Sequence, residues 1–212
     1  MKKNILLMGF LLLFLSSCKT TYLQYSTNVS DVKKSYEKIL IVSRSKDKTV
    51  RIKAEQQIVR ELAARGVKAE SSIEMIKTES FDKELSEKDL DELRKQLINM
   101  GYKAIVVNNL VDAQEYTDVI PGNTSTAYMP VRYGRFGRYY SYYPTRYWEP
   151  DRVETGMEYT LESCLYDLTI TQGDNLQWVG QFKVKNPSDL MTVLEKFSSE
   201  LTDELLVQSI NP

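Results

Sequence analysis

Two stretches of this chain echo each other: Ala64-Arg65-Gly66-Val67-Lys68-Ala69-Glu70 and Asn99-Met100-Gly101-Tyr102-Lys103-Ala104-Ile105. Each closes an amphipathic segment with a glycine and runs at once into strand-type residues. Glycine most readily takes the left-handed conformation in which helices stop. Ahead of the first stretch, 49–65 carries Ile52, Ile58, Val59, Leu62 and Ala63 on one helical face. Ahead of the second, Ser86 and Asp89 have capping-box spacing, and Leu90, Leu93 and Leu97 set an apolar stripe. Helix, glycine, strand, obeyed twice, predicts two successive right-handed crossovers and therefore a parallel core.

Upstream, Lys38-Ile39-Leu40-Ile41-Val42 is an aliphatic run suited to a strand buried on both faces. Residues 67–69 and 102–111, the latter around Ala104-Ile105-Val106-Val107, supply two further strands. Downstream the style changes. Residues 154–170 and 175–185 read as long strands, with Thr171-Gln172-Gly173-Asp174 as the tight turn of an antiparallel hairpin. Asn186-Pro187-Ser188 opens a last helix whose expected buried face is Leu190, Val193, Leu194, Phe197, Leu201 and Leu205. The expected fold class is α/β (mixed α+β): a mixed sheet with a parallel βαβαβ core, an antiparallel C-terminal hairpin and a C-terminal helix. It forms a single domain over 38–212, interrupted by a long loop-like insertion at 121–153.

The N-terminus carries an address. Lys2 and Lys3 precede an apolar run at 5–15, too short to span about 30 Å of hydrocarbon as a helix, and Leu15-Ser16-Ser17-Cys18 follows. That ending resembles the bacterial lipobox. The resemblance implies a signal peptide at 1–17, diacylglyceryl attachment to the Cys18 thiol, cleavage before it and acylation of the new amine. Several acyl chains give stable anchoring where one holds only marginally. Lys19, in place of the aspartate that resembles an inner-membrane retention signal, points to the outer membrane, facing the periplasm. Residues 18–37 then read as the lipidated cysteine and a polar tether, about 60 Å long if extended and roughly 25 Å as a coil. With Cys18 lipidated, Cys164 has no partner in its own chain and reads as a small buried apolar side chain.

Composition excludes several chemistries. There is no histidine, which removes Ser-His-Asp and Cys-His nucleophile activation and histidine-ligated metal. No phosphate loop, dinucleotide fingerprint or nucleophile elbow is present. No cofactor, metal site or catalytic residue is expected. The remaining catalytic option is the row Glu154, Glu158 and Glu162, as acid/base groups of a cell-wall or glycan-directed enzyme. The plainer reading makes them the solvated side of a strand whose other face holds Tyr159, Leu161 and Leu165.

The insertion is the candidate binding surface: Arg132, Tyr133, Arg135, Phe136, Arg138, Tyr139, Tyr140, Tyr142, Tyr143, Arg146, Tyr147 and Trp148. Tyrosine, tryptophan and arginine supply rigid area with polar tips, the chemistry of protein hot spots and of sugar-binding grooves. Aromatics with arginine also stack nucleic-acid bases, but a net charge of −1 and an envelope address disfavour that partner. Headgroup contact and a long hairpin or loop packed on its own sheet remain open alternatives. The function expected is a lipid-anchored, non-catalytic interaction or assembly module that binds an envelope protein or a glycan through the insertion.

The lipobox, the crossover unit, and Leu165-Tyr166-Asp167 followed by Trp178 together resemble a loose group of bacterial, Bacteroidetes-type envelope lipoproteins. Their domain is similar to the N-terminal α/β domain of TolB-type periplasmic proteins. The resemblance spans 38–210 in order of elements and implies a fold and a compartment, but no reaction. The Tyr/Arg insertion departs from that pattern.

Overall fold

Both glycine exits form the same hydrogen-bonded cap in the computed structural model, which describes residues 21–30, 32–76, 86–133, 139–171 and 175–212. Helix α1, Lys48–Ala64, ends where Gly66 (φ 83°) donates to Ala63 O at 3.1 Å and Val67 donates to Leu62 O at 2.9 Å. Helix α2, Glu87–Asn99, ends where Gly101 (φ 90°) donates to Ile98 O at 2.9 Å and Tyr102 to Leu97 O at 3.0 Å. These are paired Schellman closures, each with an apolar contact between the residue after the glycine and the turn it folds back on. Val67 and Leu62 share one core cluster, Tyr102 and Leu97 the other. The capping box at Ser86 and Asp89 is present.

The strands follow from those exits. β2 (Ile39–Arg44) pairs in parallel with β3 (Ala69–Ser71) and with β4 (Ala104–Ile120). β4 then pairs antiparallel with β7 (Arg152–Asp167), and β7 with β8 (Leu176–Lys185). With β1 (Leu23–Asn28) at its edge, the six-stranded sheet has the order β1-β8-β7-β4-β2-β3 and is mixed, as expected. Helix α1 and the C-terminal helix α3 (Leu190–Gln208) cover one face. There Ile58, Leu62, Phe197, Leu201 and Leu205 bury Ile39, Ile41, Val106, Leu165, Trp178 and Phe182. Helix α2 covers a corner of the other face through Leu97, over Leu40 and Val42. Alternate β2 residues thus serve opposite cores, which is why its whole run is aliphatic.

Three expectations are corrected. Residues 23–28 lie inside the stretch read as tether, yet Leu23–Asn28 is β1, an edge strand antiparallel to β8. It lacks an apolar run because its attachment is polar: Ser26 Oγ donates to Glu204 Oε2 at 2.8 Å, and Asn28 Nδ2 to Gln208 O at 3.0 Å, both on α3. The folded unit therefore begins near Tyr22, whose N–H donates to Glu200 Oε2 at 2.8 Å, rather than at residue 38. The insertion, placed in the order of elements as a long loop with a long hairpin among the alternatives, is a two-stranded sheet, β5 (Thr124–Tyr133) with β6 (Tyr139–Trp148). Helix α3 is capped by Asp189, leaving Leu190 exposed and Val193 only half-buried; Leu90 and Ala63 are likewise exposed. Of the expected turn at 171–174, residues 172–174 lie outside the described residues.

Candidate functional site

β4 and β7 outrun the sheet they belong to. β2 pairs with β4 only as far as Asn109, and β8 with β7 only back to Glu158. From Glu115↔Met157 to Ile120↔Arg152 the two strands continue as a bare ribbon, a stem about 20 Å long. The register shifts between Leu110 and Asp112, where the ribbon leaves. A bulge of this kind bends and re-aims a strand. Valines on the stem stand in solvent: Val119 is 59% and its partner Val153 is 63% exposed.

At the stem's end Glu149 N donates to Asn123 O at 3.1 Å and Gly122 N to Asp151 Oδ1 at 2.7 Å, joining it to the β5–β6 hairpin. The hairpin forms its own sheet with ten register pairs, about 33 Å of ladder. Arg132 lies opposite Tyr140, Tyr133 opposite Tyr139, Pro130 opposite Tyr142 and Met129 opposite Tyr143. Arg146, Tyr147 and Trp148 lie opposite Thr126, Ser125 and Thr124 and are exposed, Trp148 by 79%. Pro130 and Pro144 each remove a ladder donor, which only a sheet edge tolerates. The structure thus brings nine of the twelve candidates onto one hairpin. Arg135, Phe136 and Arg138 lie outside the described residues, as does Cys18.

The stem is tied down only at its root. Asn186 (φ 45°) accepts from Met157 N through Oδ1 at 3.0 Å and donates from Nδ2 to the Tyr116 hydroxyl at 2.5 Å. Gly156 allows this, since a Cβ there would lie 1.9 Å from Asn186 Oδ1. Lys185 Nζ sits 4.5 Å from the Tyr116 ring centre and 3.5 Å from Asp118 Oδ2. Sequence reasoning missed this root and the β4 half of the stem; the expected strand at 154–170 held most of the β7 half. The polar alternation of 112–120 hid a strand that carries no core.

The carboxylate row divides. Glu154 is exposed and Glu162 half-buried, but Glu158 is only 6% exposed, which corrects its assignment to a solvated side. Lys183 Nζ donates to it at 2.7 Å and Gln114 Nε2 at 3.3 Å, covering it from both neighbouring strands. The Lys183 bond, followed by those of Gln114 and the charge of Lys185, outweighs burial and holds its carboxyl below the ordinary range. A carboxylate so held stays ionised near neutrality and does not serve as a general acid. Cys164 is buried, and burial pushes its thiol up, away from the reactive thiolate.

Two other polar clusters lie within the domain. At the carboxyl ends of β2 and β3, Glu55 (fully buried) accepts from Arg51 Nε at 3.0 Å, Ser43 N at 3.0 Å, Ser72 N at 2.7 Å and Ser71 Oγ at 2.6 Å. These bonds fasten α1 to two strands. At the opposite end of the sheet from the arm, a cavity of about 390 Å³ is lined by residues 34–37, Lys103, Asp167 and Thr169. There Lys34 Nζ bonds Asp167 Oδ2 at 2.7 Å. Among the described residues no group of three or more metal-ligating side chains converges, and no helix is long and apolar enough to cross a membrane.

No protein family model and no curated protein matches the chain. Among solved structures it is similar to a variant PelC dodecamer from Paraburkholderia phytofirmans, at 8% identity and TM-score 0.45, over 85% of this chain and 98% of that one. A second PelC dodecamer from the same organism gives 8% identity and TM-score 0.43, over 87% and 96%. A PDZ domain protein from Parabacteroides distasonis gives 10% and 0.36, over 93% of this chain and 39% of that one.

Proposed function

We propose that this chain is a lipid-anchored protein of the bacterial cell envelope that works by contact rather than by catalysis, with the β4–β7 stem and β5–β6 hairpin as its contact element. It is attached through Cys18, on the periplasmic face of the outer membrane, and holds an envelope protein or a glycan. The observation that carries the reading is the arm itself. A two-stranded ribbon is at best marginally stable alone in water, and this one bears exposed Val119, Val153, Tyr147 and Trp148 while one face of the main sheet is closed by two helices. Such a surface is kept for what it touches.

Two experiments test the two halves of the proposal. Metabolic labelling with an acyl probe marks the wild type and not Cys18→Ala; label persisting in the variant refutes the anchor. Replacing 122–150 by a tight turn leaves the thermal transition of the domain in place and removes the partners recovered by crosslinking in cells. An unchanged set of partners refutes the arm.

A further inference from the structure

The arm is electrically divided. Over 119–148 there are four arginines, Arg132, Arg135, Arg138 and Arg146, and no acid or lysine. The stem and its joints, 112–118 with 149–154, hold six acids (Asp112, Glu115, Asp118, Glu149, Asp151 and Glu154) against one base, Arg152. All six are exposed. Two of them, Asp118 and Glu154, stand directly opposite each other in the ladder. Like charges so placed destabilise a sheet, and the nearby Lys185 reaches Asp118 only at 3.5 Å. The stem thus has a standing demand for cations, and the hairpin carries a surplus of them.

We propose that the occupant of the arm is the arm of a second copy of this chain, lying antiparallel to it, with each arginine-rich hairpin on the other's acidic stem. This rests on the reading of the arm as the contact element and names its partner. An antiparallel pair satisfies both contacts at once and is closed by a two-fold axis, so it stops at a dimer. The area suffices: a ribbon about 10 Å wide and roughly 50 Å in total length, counted on both copies, gives on the order of 1,000 Å², the lower bound of a specific interface. Tyr147, Trp148, Val119 and Val153 supply apolar and aromatic area, and docking by face leaves the proline-interrupted edges unused.

The test is a charge reversal on the chain from Lys19 onward, which holds every element of the described fold. Sedimentation velocity of the wild type shows a dimer that dissociates as salt rises. Arg132→Glu with Arg146→Glu cancels the hairpin's net charge; Asp118→Lys with Glu154→Lys adds cations to the stem. Each variant alone dimerises at least about tenfold more weakly. An equimolar mixture of the two regains a dimer, because the untouched arginine hairpin of the stem variant then meets the untouched acidic stem of the hairpin variant. Circular dichroism confirms that both variants keep the fold; if either does not, the salt dependence of the wild type decides. A wild type that stays monomeric, a salt-insensitive dimer, variants that dimerise unimpaired, or a mixture that stays monomeric each overturn the inference. Wild type that binds anionic vesicles or glycans while monomeric does so too, and leaves the contact-module reading standing. Loss of that reading has its own signature, an arm replacement that changes neither partners nor association.

Discussion

β4 and β7 each live in two environments. In its first half β4 alternates buried and half-buried from Ala104 to Asn109, under helices on one side and a corner helix on the other. In its second half the same strand, paired with the same partner along one ladder, is exposed at nearly every residue. The β4–β7 ladder itself is alike in the two halves; the first half adds outer partners in β2 and β8 and the cover of helices, and the second has neither. The lesson is that ladder bonds, which exchange for bonds to water at little net gain, set the shape of the arm, while burial sets the stability of the domain.

The sharpest way to break that contrast is to spoil the covered half. Arg51→Met leaves the Glu55 carboxyl fully buried without its guanidinium partner and lowers stability by about 3–5 kcal/mol in urea unfolding. A loss below about 1 kcal/mol would mean that the pair is not sealed as described. Next comes the root of the stem. Gly156→Ala displaces Asn186 and gives up its bonds to Met157 N and Tyr116, at about 1–2 kcal/mol, with hydrogen exchange rising in 152–157 and unchanged in β2.

Acid then separates the halves. Burial works against ionisation of Asp167, but Lys34 and the N–H and hydroxyl of Thr169 outweigh it and hold the carboxyl below its usual value. A carboxylate with a depressed folded value contributes stability above its unfolded value near 4, and that contribution is lost as pH falls through the folded value. Lys34→Met therefore lowers the neutral plateau of a stability–pH curve without tilting it, and flattens the acid limb below about pH 5. An acid limb as steep as that of the wild type would show that Asp167 does not depend on Lys34. The smallest effect belongs to the arm. Val153→Thr changes the unfolding free energy by less than about 0.5 kcal/mol, since its side chain is already in water; a larger loss would show that the stem packs on something within its own chain.

The crossovers were legible because glycine at a helix end has one strong physical use, and Gly66 and Gly101 both serve it. The antiparallel pairing of β7 and β8 was legible from two long runs of strand-type residues. β1 was not, because an edge strand bonded to a helix by serine and asparagine writes no apolar pattern. Nor was the buried pair: Arg51 and Glu55 look like an ordinary surface pair one turn apart. A signal existed, since 51, 55, 58 and 62 fall on one helical stripe, and Ile58 and Leu62 mark that stripe as the core face. The hairpin residues were found by composition alone, which locates aromatic and cationic surface but says nothing of the acidic stem it is mounted on.

The two tryptophans fall on opposite sides of the divide. Trp178 lies sealed between the sheet and the helices, with no exposed surface, and Trp148 stands at the foot of β6 almost wholly in water. The chain thus carries a two-channel optical reporter. Emission from Trp178 is blue, shielded from iodide, and lost only when the domain unfolds. Emission from Trp148 is red, quenched by iodide, and moves to the blue when the arm is covered, so one cuvette follows folding and docking as separate events.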